Sequence, residues 1–229
     1  MKKKLLSVIL VVAIIFSCNI LTFAKEDTSK AKGNITHDTV ITKDNLNEVL
    51  KLYGIDPSTA KVSDKSIDQP ATTVGQIEDA INLIKQQSSN DITIDETVNS
   101  SNLGISLMSQ VSGQIILSRT NQPISTITLT RSVPAYFNLE TSTGNSYWTG
   151  TGNPTLVFAD NSAPGSKRQL TSINSISASN TSTTVTVNSS IDVAYYLVVG
   201  IPGTPLSYDY YMSTQTITST VSWGSSYLP

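Results

Sequence analysis

The sequence predicts a mainly β protein, an antiparallel β-sandwich preceded by a small two-helix region. Past Gly104 the chain consists of segments rich in Val, Ile, Thr and Tyr, which recur at intervals of about ten residues, as sandwich strands do. Turn-forming residues separate these segments, as in "TGN" at 143–145 and "APG" at 163–165. Before Gly104, apolar residues recur instead with the period of an α-helix.

Alternation within the β segments predicts one buried side and one solvent-facing side. In "TSTTVTVNSS", residues 181–190, only Val185 and Val187 are apolar, and Thr186 between them faces the other way. Threonine suits an outer face because its branched Cβ favours a strand and its hydroxyl bonds to water. We expect about eight or nine short strands over residues 105–229, in an immunoglobulin-like or jelly-roll-like sandwich.

The predicted β domain carries few charges, and they balance. Its charged side chains are Arg119, Arg131, Lys167 and Arg168 against Glu140, Asp160, Asp192 and Asp209. The whole chain has 15 basic and 17 acidic residues, a formal charge of −2. A mildly acidic chain lacks the basic surface that nucleic-acid binding requires, so we expect no nucleic-acid partner.

Residues 41–104 are predicted to form the small helical region. The first helix begins after Thr42, and the second begins after Thr73, which forms a capping box with Gln76. Each helix has one apolar side: Leu46, Val49, Leu50 and Tyr53 in the first, and Ile77, Ala80, Ile81 and Ile84 in the second. Because a unit below about 60 residues is marginally stable, we expect these helices to pack together and residues 105–229 to carry the folding.

The first 24 residues have the layout of a secretory signal peptide. Three lysines precede an apolar run from Leu5 to Phe16, and small residues allow cleavage after Ala24. We therefore expect a secreted protein in which residues 25–40 form a flexible tether. The alternative is a lipoprotein anchored through Cys18, because the four residues that end there resemble a lipobox.

Few residues are suited to catalysis or metal binding. Cys18 is the only cysteine, and its loss with the signal peptide excludes disulfides, thiol catalysis and Cys-ligated zinc. His37 is the only histidine and falls in the predicted tether, so we expect no Ser-His-Asp triad. The β-domain carboxylates leave open a hydrolase that uses carboxylates alone. We expect no cofactor, no metal site and no enzymatic activity.

Aromatic side chains are the strongest candidates for ligand contacts. Tyr147 and Trp148 lie in "GNSYWTGTGN", and Tyr208 and Tyr210 lie in "SYDYYMS". Exposed rings beside Asn and Thr can stack on sugars or anchor a protein partner. The alternative is that these rings pack in the core, which is the role expected of Trp223.

Together these features predict an exported, non-enzymatic binding module for an extracellular glycan or surface protein. The alternative is a membrane-active protein that forms a small β-pore, because alternating apolar and Ser/Thr residues are typical of pore-lining strands. A membrane partner is expected only through that activity or through lipidation of Cys18. A carboxylate-dependent hydrolase is the third hypothesis.

Overall fold

The computed structural model describes residues 35–63, 70–98, 111–140 and 143–228. Contacts divide the chain into residues 1–35 and residues 36–229, and all described residues except Ile35 belong to the second unit. The predicted signal peptide, Cys18 and most of the predicted tether lie outside the described residues. Cleavage and lipidation therefore stay predictions.

The chain folds as the sequence predicts, with two helices and a mainly β structure. Its elements follow in the order α1 (Leu46–Leu52), β1 (Lys61–Val62), α2 (Val74–Gln87), β2 (Ile92–Val98), β3 (Val111–Ile124), β4 (Ile127–Glu140), β5 (Asn145–Thr151), β6 (Thr155–Asp160), β7 (Ser166–Asn180), β8 (Val185–Gly200) and β9 (Ser207–Trp223). Short 3₁₀ turns occur at Pro57–Thr59 and Ser225–Tyr227.

Two sheets form the sandwich. The large sheet has the order β7–β8–β9, and β1 and β2 both pair with the far edge of β9. The small sheet has the order β3–β4, and β5 and β6 both pair with the far edge of β4. Every pairing between the described strands is antiparallel except that of β2 with β9.

The strands are longer than the sequence predicts. Strand β8 has 16 residues and β9 has 17, and each joins two segments that the sequence suggests are separate strands. No Gly or Pro interrupts β8 before Gly200. Asp192 lies within β8, where it accepts a hydrogen bond from Thr216 Oγ1 at 2.8 Å. That partner on β9 lets a carboxylate occupy the middle of a strand.

An apolar core fills the sandwich where β8 begins and β9 ends. It consists of Leu117, Val133, Ala135, Phe137 and Trp148 from the small sheet, Val185, Val187, Val221 and Trp223 from the large sheet, and Leu228. These residues come from alternate strand positions, so the predicted inward orientation of Val185, Val187 and Trp223 is confirmed.

Helix α2 packs against the large sheet at the other end of β8. Its capping box between Thr73 and Gln76 is present, and the predicted apolar side is buried. The residues that precede the helix are fixed to β8, since Ala71 N donates to Val198 O at 2.9 Å. At the end of α2, Gln215 Nε2 donates to the carbonyl of Gln87 at 2.9 Å.

The N-terminal segment contributes to the large sheet as well as to the helices. Strand β2, within the region predicted to be helical, pairs with β9 over seven residues from Ile92↔Ile217 to Val98↔Trp223. The end of the predicted tether is also bonded to α2, since Gly75 N donates to His37 O at 2.8 Å. That residues 105–229 carry the folding stays a prediction.

Candidate functional site

The structure separates the four aromatic residues that the sequence singles out. Trp148 and Tyr210 are buried, with exposures of 2% and 1%, so neither ring is available to a ligand at the surface. Tyr147 and Tyr208 are half-buried. They lie on different sheets, because Tyr147 pairs with Asn138 of β4 and Tyr208 pairs with Val62 of β1.

Tyr147 and Trp148 differ because neighbours in a strand point to opposite sides of the sheet. Trp148 pairs with Phe137, whose side chain faces the apolar core. Tyr147 pairs with Asn138 on the outer side of the small sheet, and Asn138 Nδ2 donates to the Tyr147 hydroxyl at 3.5 Å. Of the two rings, only Tyr147 lies on an outer face.

A second tyrosine, which the sequence does not single out, lies beside Tyr147. Tyr136 of β4 is 41% exposed and pairs with Gly150 of β5. A Cβ added to Gly150 would lie 3.6 Å from Tyr136 Cδ2, so the absence of a side chain leaves that edge of the ring open. Buried and exposed residues alternate from Ala135 through Tyr136 to Phe137 in β4, and this alternation indicates that the Tyr136 ring faces outward.

We define the tyrosine face as the outer side of the small sheet around these two rings. Its cross-strand rows are Ser112–Asn138–Tyr147, Gln114–Tyr136–Gly150 and Ile116–Pro134. Ser112 Oγ donates to Asn138 Oδ1 at 2.6 Å, which fixes the amide between the rings. All of these side chains are neutral, so the face can offer ring stacking and neutral hydrogen bonds.

The outer side of the large sheet is a second surface rich in neutral polar groups, which we call the hydroxyl face. It includes Thr186 and Asn188 of β8 and Thr216, Thr218, Thr220 and Ser222 of β9. Its polar groups bond to one another across the strands: Thr186 Oγ1 lies 3.0 Å from Ser222 Oγ, and Thr220 Oγ1 donates to Asn188 Oδ1 at 3.0 Å. These bonds use donors and acceptors that a ligand would otherwise contact.

A groove of about 530 Å³ lies between the end of α2, the start of β2 and the tip of the β3–β4 hairpin. Amide side chains line it, namely Gln86, Gln87, Asn90 and Gln215, opposite Pro123 and Ile124. Two of its amides already have protein partners, because Gln87 Oε1 accepts from Arg168 Nη2 at 2.6 Å and Gln215 binds the backbone. We assign no ligand to this groove.

Each of the four β-domain carboxylates has a partner that is not a carboxylate, and that of Glu140 is the Thr143 hydroxyl at 3.1 Å. Asp160 accepts from the backbone of Arg168, Asp192 from Thr216, and Asp209 from Lys167 Nζ at 2.6 Å. Each carboxylate therefore has its own local partner. Within the described ranges, no group of three or more His, Cys, Asp or Glu side chains could hold a metal ion.

His37 lies near the start of α2, with its Nε2 3.7 Å from Glu78 Oε2.

Among the helices that the structure describes, none combines the length and the apolar character that a membrane span needs. Comparison with protein families, curated proteins and solved structures gives no match to this chain.

Proposed function

We propose that this chain is an exported, non-enzymatic binding module that holds a neutral extracellular glycan on its tyrosine face. The observation that carries the proposal is the pair of partly exposed rings, Tyr136 and Tyr147, on an uncharged sheet surface. Sugar rings have apolar faces that stack on aromatic rings and hydroxyls that bond to amides. The tyrosine face supplies both kinds of contact.

The two rings are placed to contact neighbouring parts of one ligand. Tyr136 pairs with Gly150, and Tyr147 pairs with Asn138, so the tyrosines are diagonal neighbours across β4 and β5. Diagonal neighbours in a sheet are on the order of 7–8 Å apart, which allows one oligosaccharide to cover both. The Asn138 amide lies between them, held by Ser112.

Electrostatics also supports a neutral ligand. The charged residue nearest in sequence on the outer side of β4 is Glu140, which is the last residue of the strand. Because only interactions between charges are weakened by salt, affinity for such a ligand should hardly change with ionic strength.

The test is a glycan array followed by titration of the best neutral oligosaccharide at low and high salt. We expect Tyr136→Ala and Tyr147→Ala each to cost about 1–3 kcal/mol of binding free energy. Tyr211→Ala is the matched control, because Tyr211 is 52% exposed on the opposite sheet. Equal losses in all three variants, or affinity that collapses in salt, would contradict the assignment to the tyrosine face.

A β-pore remains the second candidate, and the length of the β3–β4 hairpin favours it. Each strand has 14 residues, whereas a membrane-crossing strand needs about 9–11. Against it, Arg119 and Arg131 pair directly on the inward side that would have to face lipid. An arginine that faces lipid at the bilayer midplane destabilises a barrel by about 2–4 kcal/mol. Leakage of dye from liposomes at protein concentrations that show no glycan binding would favour the pore.

A further inference from the structure

A polar layer crosses the sandwich interior beside the apolar core. It consists of Arg119, Asn121 and Arg131 from the small sheet and Glu96, Ser189 and Ser219 from the large sheet. Arg119 pairs directly with Arg131, and Ser189 pairs directly with Ser219. Arg131 Nε donates to Ser189 Oγ at 3.2 Å, so the two pairs meet across the interface between the sheets.

The charges in this layer do not balance. The Arg119 guanidinium binds Glu96 and holds the pKa of that carboxyl below its usual range, so this pair is neutral overall. Arg131 is 0% exposed, and its side-chain acceptors are the neutral oxygens of Ser189 and of Asn121, the latter at 2.9 Å. One positive charge is therefore left in the interior, where an unpaired charge is costly.

Three buried polar atoms of the same layer have no protein partner among the described residues. They are Arg131 Nη2, Arg119 Nε and Ser219 Oγ. Buried polar groups are nearly always hydrogen-bonded, so three potential donors on neighbouring residues of a layer with excess positive charge favour a negatively charged acceptor.

A second buried arginine, Arg168, has surroundings that differ from those of Arg131. Arg168 is 2% exposed and also has an unpartnered Nε. Its guanidinium, however, lies 4.8 Å from the centre of the Tyr195 ring, and its Nη2 donates to Gln87. The ring face and Asp160, bonded to the backbone of Arg168, stabilise its charge. The carboxylate that acts on Arg131 is Glu96, which is already paired with Arg119.

We propose that the polar layer binds one small monovalent anion, with chloride as the extracellular ion. Arg131 Nη2, Arg119 Nε and the Ser219 hydroxyl donate to the ion, which neutralises the charge of Arg131. The ion enters from solvent at the edge where β3 faces β2, because the Arg119 side chain is 42% exposed there. This site is separate from the tyrosine face and from any glycan bound there.

An anion that binds only the folded chain raises its stability in proportion to the logarithm of the ion concentration. We therefore expect the melting temperature to rise with chloride when gluconate keeps the ionic strength constant. Bromide should replace chloride, and its anomalous scattering in a crystal should appear between Arg131 and Ser219.

Matched serine variants test the site without removing a charge. Ser219→Ala should weaken chloride binding at least tenfold, whereas Ser213→Ala should leave it unchanged, although Ser213 Oγ is also buried and unpartnered. Arg131→Met should abolish the response to chloride, and Ser219→Ala remains informative if Arg131→Met does not fold. Equal melting temperatures in chloride and gluconate, or equal responses in the two serine variants, would overturn the proposal.

Discussion

The two outer faces of the sandwich are built mainly from neutral side chains, but they use them differently. On the hydroxyl face, Thr186 bonds to Ser222 and Thr220 bonds to Asn188, so the polar groups satisfy one another. On the tyrosine face, the Asn138 amide is also bonded, to Ser112 and to the Tyr147 hydroxyl, but the Tyr136 ring is exposed and the Tyr147 ring is half-buried. The two faces therefore differ in exposed aromatic area and not in neutral composition, which makes the tyrosine face the candidate for ring stacking.

The two faces also depend on different parts of the chain. The deletion that tests this difference has the largest expected effect on stability. Deleting residues 1–104 removes α1, α2, β1 and β2 but leaves all four strands of the small sheet. Strand β2 pairs with β9 over seven residues, so its loss exposes the edge of β9, and the loss of α2 uncovers the part of β8 against which it packs. From these contacts we expect the fragment to lose its cooperative melt, measured by circular dichroism.

The control for that deletion is a chain that starts at Thr36, which keeps every described helix and strand. It should melt as the longer chain does. A strand-rich spectrum with a cooperative melt in the fragment 105–229 would instead support the expectation from sequence, that the β domain carries the folding.

The next largest effect separates the two sides of β5. Trp148→Ala should cost about 3–5 kcal/mol of unfolding free energy, because it leaves a cavity in the apolar core. Tyr147→Ala, one residue away on the outer side, should change stability by about 0.5 kcal/mol or less. Urea unfolding of both variants measures the difference, and similar costs would mean that Tyr147 is also part of the core.

Much of the fold could be predicted because it depends on local patterns. The capping box of Thr73 and Gln76 and the inward valines of β8 follow from spacing along the chain. The merging of segments into long strands could not be predicted, because Asp192 within β8 depends on Thr216 of β9. Such a partner is distant in sequence and close only after pairing.

The candidate sites show the same limit. Tyr147 was singled out from sequence, but its neighbour Tyr136 becomes apparent only when the register of β4 and β5 is known. The polar layer is also invisible in sequence, since Arg131 occupies a position of β4 where alternation predicts an apolar residue. The alternating pattern predicts which side a residue faces, but it does not predict which side chains contact it there.

The smallest expected effect concerns Asp192, a charged residue on the hydroxyl face. The hydrogen bond from Thr216, together with those involving Asn174 and Ser172, lowers the pKa of this carboxyl. A lowered pKa in the folded state means that the charged form is stabilised by folding. This contribution is therefore present above the unfolded pKa of about 3.9 and is lost as the pH falls through the lower folded value.

Asp192→Asn removes this titration, so the stability difference between the parent chain and the variant should shrink as the pH falls below about 4. Urea unfolding at a series of pH values measures that difference. Thr216→Val should reduce the pH dependence in the same direction, because it deletes the principal donor. Thr218→Val, two residues further along the same side of β9, should leave it unchanged. If the difference between the parent chain and Asp192→Asn stays constant down to low pH, the hydrogen bonds of the hydroxyl face do not favour the charged carboxylate.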